Sequence, residues 1–198
     1  MAGTRSAQRR VLGIATSPRV GGNSEALLDA VLQGAADAGA EVTKISLREM
    51  KVGPCRECGG CDKTGRCVVQ DDMQRVYALL KEHDRLAFAT PIFFLNICAQ
   101  AKAMIDRGQA PWVNQARLKQ PFCETPKEKR KGLLVACGGS NAKALFDCAE
   151  RTFRAFLAVI DMKYAGCLCI PSVDRLGAVE KHPRALEQAR KTGAELVR

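Results

Sequence analysis

The sequence has no long hydrophobic run. Its most apolar stretch, residues 86–101, is interrupted by Thr90, Pro91 and Asn96 and falls short of the roughly 20 apolar residues that a membrane span requires. Aromatic residues make up only 5% of the chain, too few for the stacking platforms that bind single-stranded nucleic acid. The formal net charge of +10 is spread along the sequence, concentrating only at Arg5, Arg9 and Arg10 and at Lys127, Lys129, Arg130 and Lys131. This distribution reads as a solvated basic surface that attracts anionic cofactors rather than as a nucleic-acid stripe. Arginines near the start precede an apolar run of only residues 11–15, with no small-residue cleavage pattern after it, so the expectation is a frayed tail and no export signal. Histidine is scarce: His83 falls at a helix end and His182 before Pro183, positions that suggest surface or capping roles rather than catalysis. No internal repeat is visible, and 46% hydrophobic with 26% charged residues argues against disorder, collagen and coiled coil.

At 198 residues the chain suits one domain, 1–198, with a substantial core. Ten cysteines without an export signal suggest reduced thiols in the cytoplasm, where clustered cysteines serve metal or redox chemistry. Apolar runs alternate with helical patterns throughout. Strands are expected at 10–16, 41–47, 84–90, 131–138 and 163–170. Helical spacing runs through Leu27, Leu28, Val31, Leu32 and Ala35, then through Met73, Val76, Tyr77 and Leu80 behind an Asp71 or Asp72 cap. It continues through Ile97, Ala101, Met104 and Ile105, and most strongly from Leu145 through Phe153 and Phe156 to Ile160. Residues 108–130 read as a loop containing Trp112, and Pro183 is expected to open a last helix through Leu186, Ala189, Leu196 and Val197. Strands alternating with helices imply an α/β fold: a five-stranded parallel sheet with helices on both faces. A ligand then sits beyond the carboxyl ends of the strands where their order reverses.

The loop after the first strand reads Ser17-Pro18-Arg19-Val20-Gly21-Gly22-Asn23-Ser24. Hydroxyls, glycines, an asparagine and a guanidinium at a helix start are what a phosphate dianion needs. No Gly-Lys-Ser/Thr follows, the G-x-G-x-x-G pattern is missing, and the loop has no cysteine nucleophile, so it suits a retained phosphate rather than one under attack. An ordinary turn capped by Asn23 or Ser24 is the plain alternative.

An inserted loop at 54–70 carries Cys55, Cys58, Cys61 and Cys67 in a C-x2-C-x2-C-x5-C pattern. Thiolates this close in sequence converge on one small volume and suit an iron-sulfur cubane better than zinc, which usually takes two separated cysteine pairs. Gly59, Gly60 and Gly65 let the backbone wrap closely. Zinc and a thiol-only loop remain alternatives. The other six, Cys98, Cys123, Cys137, Cys148, Cys167 and Cys169, read as small buried hydrophobes without chemistry.

Taken together, the chain resembles the NAD(P)H-dependent FMN reductases and iron-sulfur flavoproteins of flavodoxin-like fold. The resemblance rests on Ser17-Pro18-Arg19 with Gly22-Asn23-Ser24, on Thr90-Pro91-Ile92-Phe93-Phe94 leading to Gln100-Ala101-Lys102-Ala103-Met104-Ile105-Asp106-Arg107, on Gly138-Gly139-Ser140, on Leu145-Phe146-Asp147, on Lys181-His182-Pro183 and on the cysteine spacing. It implies that Ser17, Arg19, Gly22, Asn23 and Ser24 hold the phosphate of FMN. Pro91, Ile92, Phe93, Phe94 and Asn96 would lie along its ring, with Gly138 and Gly139 at the other edge; Phe93 and Phe94 read equally as core residues. It further implies a 4Fe–4S cluster on Cys55, Cys58, Cys61 and Cys67, NAD(P)H as a candidate substrate, and a homodimer or homotetramer. The expected function is electron transfer between small-molecule or protein donors and acceptors, with no catalytic acid-base residue. The alternatives are a flavin-only NAD(P)H reductase of flavin, quinone or similar acceptors, and a carrier that serves a protein partner.

Overall fold

The computed structural model describes residues 8–182 and 184–198. The strands are β1 (Arg10–Ala15), β2 (Glu41–Ser46), β3 (Arg85–Phe93), β4 (Asn96–Ile97), β5 (Lys131–Cys137) and β6 (Lys163–Ile170). The helices are α1 (Asn23–Asp37), α2 (Met73–Glu82), α3 (Ala99–Asp106), α4 (Gln109–Ala116), α5 (Asp147–Val159) and α6 (Ala185–Leu196). The main sheet runs β2-β1-β3-β5-β6 with every pairing parallel, and β4 folds back antiparallel on the end of β3. With β4 set aside this is the flavodoxin-like order, whose switch point lies between β1 and β3.

Alternation along the buried strands divides the core into two layers. Leu12, Ile14, Phe88 and Leu134 face α2, α3 and α5, where Phe88 stacks on Phe153 with ring centroids 5.4 Å apart. Val11, Ala87, Leu133 and Val135 face α1 and α6. Those two helices cross closely at Gly34 and Gly193. A Cβ on either would stand 1.9 Å from a backbone oxygen, that of Arg190 or of Val31. At the amino end of the sheet, buried arginines satisfy helix C-terminal carbonyls. Arg130 donates to Leu80 and Ile160, and Arg85 donates to Leu196 at 2.7 Å.

Several sequence expectations need correction. Residues 108–130 are not all loop, since α4 occupies Gln109–Ala116 and buries Ala110, Pro111 and Val113. Trp112 lies on that helix, with the Arg117 guanidinium 5.4 Å from its ring. Ile97 belongs to β4 rather than to the helix that follows. The turn joining β3 to β4 puts Phe94 and Leu95 in the left-handed region, φ 48° and 63°, as a tight two-residue hairpin requires. His83 is buried, its ring nitrogens 2.8 Å from the Leu79 carbonyl and 3.0 Å from Thr43 Oγ1, and burial lowers its pKa. Asp71 accepts from the Met73 amide at 3.1 Å at the start of α2, as a capping carboxylate should. The last helix begins at Ala185, while Pro183 and the tail residue Arg5 lie outside the described residues.

The α1–α6 crossing yields a direct test. Gly34→Ala should destabilise the protein by about 2–3 kcal/mol through overpacking, lowering the urea midpoint at unchanged m. An unaltered midpoint would mean the helices do not cross this closely.

Candidate functional site

The end of β1 is fixed to β3. The Thr16 amide and hydroxyl both donate to Ala89 O, at 3.0 and 2.9 Å, and the buried Cys98 thiol donates to Thr16 O at 3.1 Å. From this anchor the chain turns through Ser17, whose Oγ accepts from the Arg19 amide at 3.1 Å. Gly21 has φ 61°. A Cβ on Gly22 would stand 2.9 Å from Ser17 Oγ, so a larger residue there would press on that hydroxyl. Gly22, rather than Asn23 or Ser24, is the cap of α1 and offers no side-chain hydrogen bond to it. Among the described residues the first N–H groups of the helix therefore have no side-chain acceptor, with the positive end of the dipole beside them.

Ser17, Arg19, Gly22, Asn23, Ser24, Pro91, Ile92, Phe93, Gly138 and Gly139 line one cleft of about 50 Å³. Phe94 and Asn96 do not line it. Phe94 is fully exposed at the hairpin tip, and Asn96 Oδ1 accepts from the Ile97 amide at 2.8 Å. The cleft has a wall that sequence reasoning missed, the segment after β6 with Val173 and Asp174. Arg19 Nη1 donates to Asp174 O at 3.2 Å, and Asn23 donates to Arg175 O at 2.9 Å and accepts from the Val179 amide at 3.3 Å. The Arg19 and Asn23 side chains thus fasten this wall, while the backbone of α1 and the buried Ser17 and Ser24 face the cleft. Only the position of the segment, beyond a strand end, could have pointed to it. Gly139 fits beneath it because a Cβ would come within 2.9 Å of Asp174 Cβ.

Glu25, in the first turn of α1, accepts from the Gly21 amide at 3.2 Å. Its carboxylate is held by Arg48 at 2.6 Å and Lys44 at 2.9 Å. The hydrogen bond from Arg48 is the largest of several effects that hold its pKa down at about 2. This acid is thereby neutralised by the chain itself beside a cleft suited to an anion.

Cys55, Cys58, Cys61 and Cys67 all line a second cavity, of about 260 Å³, together with Arg107 and Arg117. Arg107 is buried and closes the loop at its base, donating to Gly53 O at 3.0 Å and to Asp71 at 2.7 Å. Burial alone would raise the Asp71 carboxyl, but the bonds from Arg107 and the Gly53 amide keep it below its ordinary value. Asn114 of α4 donates to Gly65 O at 3.2 Å, and a Cβ on Gly65 would collide with that amide. Burial, then Asp62 and the thiols of Cys67 and Cys55, push the Cys61 thiol up. Among the described residues no three His, Cys, Asp or Glu side chains stand close enough to hold a metal ion. Four thiols lining one cavity are a donor set that a cysteine-ligated metal group takes.

The remaining cysteines are not uniformly buried. Cys98 and Cys137 are, Cys123 and Cys169 are half-buried, and Cys148 and Cys167 are exposed.

A parallel sheet in this order, with a helix N-terminus, hydroxyls and glycines at its switch point, defines a flavodoxin-like nucleotide-binding domain. The chain belongs to the NADPH-dependent FMN reductase family, a family of flavin-dependent oxidoreductases, and matches its family model over residues 9–168. It is 38% identical over 113 residues to an iron-sulfur flavoprotein of Archaeoglobus fulgidus, covering 57% of this chain and 51% of that one. The chain spans about half the length of the first curated relatives it matches. In fold it is similar to an azoreductase from Bacillus anthracis, with a TM-score of 0.70 at 18% identity over 95% of this chain and 100% of that one. A second Bacillus anthracis structure, an FMN-dependent NADH-azoreductase in complex with FMN, aligns at 0.67 and 14% identity over 96% and 100% of the two chains.

Glu25 predicts an acid response. Its folded pKa lies below the ordinary 4.5, so its contribution to stability is present above pH 4.5 and is lost as pH falls toward 2. Denaturant melts of Glu25→Gln should show a shallower loss of stability over that window than the parent protein. Parallel slopes would contradict the Arg48–Glu25–Lys44 linkage.

Proposed function

We propose that the chain is an FMN-dependent electron-transfer oxidoreductase that carries a 4Fe–4S cluster on Cys55, Cys58, Cys61 and Cys67 and takes electrons from NAD(P)H or a reduced protein donor. The observation that carries this reading is the convergence of Ser17, Ser24 and the uncapped start of α1 on one cleft. The fit to FMN rests on chemistry: N–H and O–H donors at the positive end of a helix dipole match a phosphate dianion. When bound, FMN supplies hydride exchange and single-electron steps, whereas a cubane supplies single-electron steps only.

The chain's own residues do the rest. Ser17, Ser24 and the amides of Asn23 and Ser24 bind the phosphate. Arg19 and Asn23 hold the Asp174–Arg175 wall over it. Pro91, Ile92 and Phe93 form a flat apolar side for the ring, with Gly138 and Gly139 leaving room at its other edge. No acid or base is needed, because these residues act by placement. Arg107, through Gly53 and Asp71, fixes both ends of the cysteine loop, so that its thiols face one cavity. The exposed Phe94 and Leu95 beside the cleft support assembly of two copies with their clefts near the contact.

Anaerobic preparation followed by reconstitution with FMN, iron and sulfide tests both parts. The expected product holds one FMN and about four iron and four sulfide per chain. Cys61→Ala should lose the iron and sulfide while keeping the flavin. Ser17→Ala should weaken FMN binding about tenfold, equivalent to one good hydrogen bond to a charged group. Flavin without iron after reconstitution would leave a flavin-only reductase, and bleaching by NADPH would identify it.

A further inference from the structure

Among the described residues three arginine Nε atoms are buried without a hydrogen-bond partner, those of Arg10, Arg107 and Arg130. A buried N–H left without an acceptor carries its full desolvation penalty, so each calls for a physical account. Two of them have one. Arg10 Nε lies 3.4 Å from Glu41 Oε2, and the Arg130 guanidinium lies 5.9 Å from the centre of the Phe122 ring. Arg107 differs, because its carboxylate partner is met by the other two nitrogens and because it lines the cavity of the four cysteines.

The other donors of Arg107 are all used. Nη1 donates to Gly53 O at 3.0 Å and to Asp71 Oδ2 at 2.7 Å. Nη2 donates to Asp71 Oδ1 at 3.1 Å and, weakly, to Val69 O at 3.5 Å. Asp71 therefore meets the guanidinium end-on in a bidentate fork, which leaves the Nε–H outside the pair. The backbone is held as well, since the Tyr77 hydroxyl donates to Arg107 O at 2.6 Å. Only 2% exposed and fixed by these bonds, the side chain cannot turn its last donor toward water. Arg56 and Arg117 line the same cavity, but both are exposed, and Arg117 pairs with Asp62 at 2.9 Å.

We propose that the Nε–H of Arg107 is a hydrogen-bond donor to a sulfur of the cluster, and that this bond favours the reduced, more negative form. The proposal rests on the cluster reading above and gives a tuning role to a residue whose remaining contacts are structural. Hydrogen bonds to sulfur are one of the means by which a protein sets the potential of such a group. A donor that carries positive charge raises that potential, and a guanidinium keeps its proton throughout the physiological range. Asp71 offsets part of the charge but leaves the Nε–H free to donate. The fork thus fixes the loop, while the fifth N–H meets what the loop holds.

The full chain, grown on arginine carrying the heavy nitrogen isotope and reconstituted anaerobically with FMN, iron and sulfide, serves for the test. Dithionite reduces both groups fully, so that the paramagnetic signal comes from the cluster. Pulsed EPR should then detect hyperfine coupling to a labelled arginine nitrogen. Replacing the two exposed arginines together, Arg56→Lys with Arg117→Lys, should leave that coupling in place. Arg107→Lys keeps the charge and removes the planar donor. It should lose the coupling and lower the reduced fraction of the cluster about tenfold at a fixed solution potential, a downward shift of about 59 mV for one electron. If Arg107→Lys does not fold, the double variant carries the test, because Arg107 is then the one arginine left among the residues that line the cavity. Iron and sulfide analysis comes first: no iron after reconstitution overturns the cluster reading and the proposal with it. A loaded cluster without arginine coupling overturns the proposal alone. So does a coupling that vanishes in the double variant, or a folded Arg107→Lys protein in which either the coupling or the potential is unchanged.

Discussion

The constraint on which the rest depends is that the first N–H groups of α1 stay without a side-chain acceptor from the chain itself. Gly22 supplies no capping side chain. Glu25, the acid close enough to compete, is drawn off by Arg48 and Lys44. Asn23, a residue type that usually caps, spends its amide on Arg175 and Val179. Glu25 and Asn23 are thus engaged elsewhere, and what remains is a donor-lined gap at the switch point of the sheet. An uncapped helix terminus costs stability, which an anionic ligand restores on binding.

The site is held from beneath as well as from its rim. Thr16, Ala89 and Cys98 tie β1, β3 and the start of α3 together, so the loop after β1 and the Pro91–Phe93 segment share one anchor. The cysteine loop is built on the same plan. Arg107, at the end of α3, reaches Gly53 and Asp71, and α4 grips Gly65. Helices that pack the core on one side thus position the Pro91–Phe93 side of the cleft and the thiol cavity together.

The succession of parallel strands, the glycine and hydroxyl turn after the first of them and the convergence of Cys55, Cys58, Cys61 and Cys67 on one cavity were legible because each is written in local sequence: apolar periodicity, turn residues, short cysteine spacing. What was not legible depends on contacts between distant segments. Asp174 becomes part of the cleft only because Arg19 and Gly139, far away in sequence, close on it. The helix α4 follows Gly108 and carries Pro111 in its first turn, where proline is well tolerated, so its sequence differs little from that of a loop. His83 looked exposed at a helix end, yet Thr43 on the edge strand gives its ring a partner. Cys167 and Cys169 read as core by composition, but β6 lies at the sheet edge, and edge position is a property of topology rather than of the residues themselves.

Comparing FMN with riboflavin probes the helix end most directly, because the two ligands share ring and ribityl chain and differ only in the phosphate. Calorimetric titration at fixed pH and salt should show FMN binding at least about a hundredfold tighter, equivalent to roughly 3 kcal/mol from charge-assisted hydrogen bonds. Equal affinities for the two would contradict the assignment of the open end of α1 as a phosphate site.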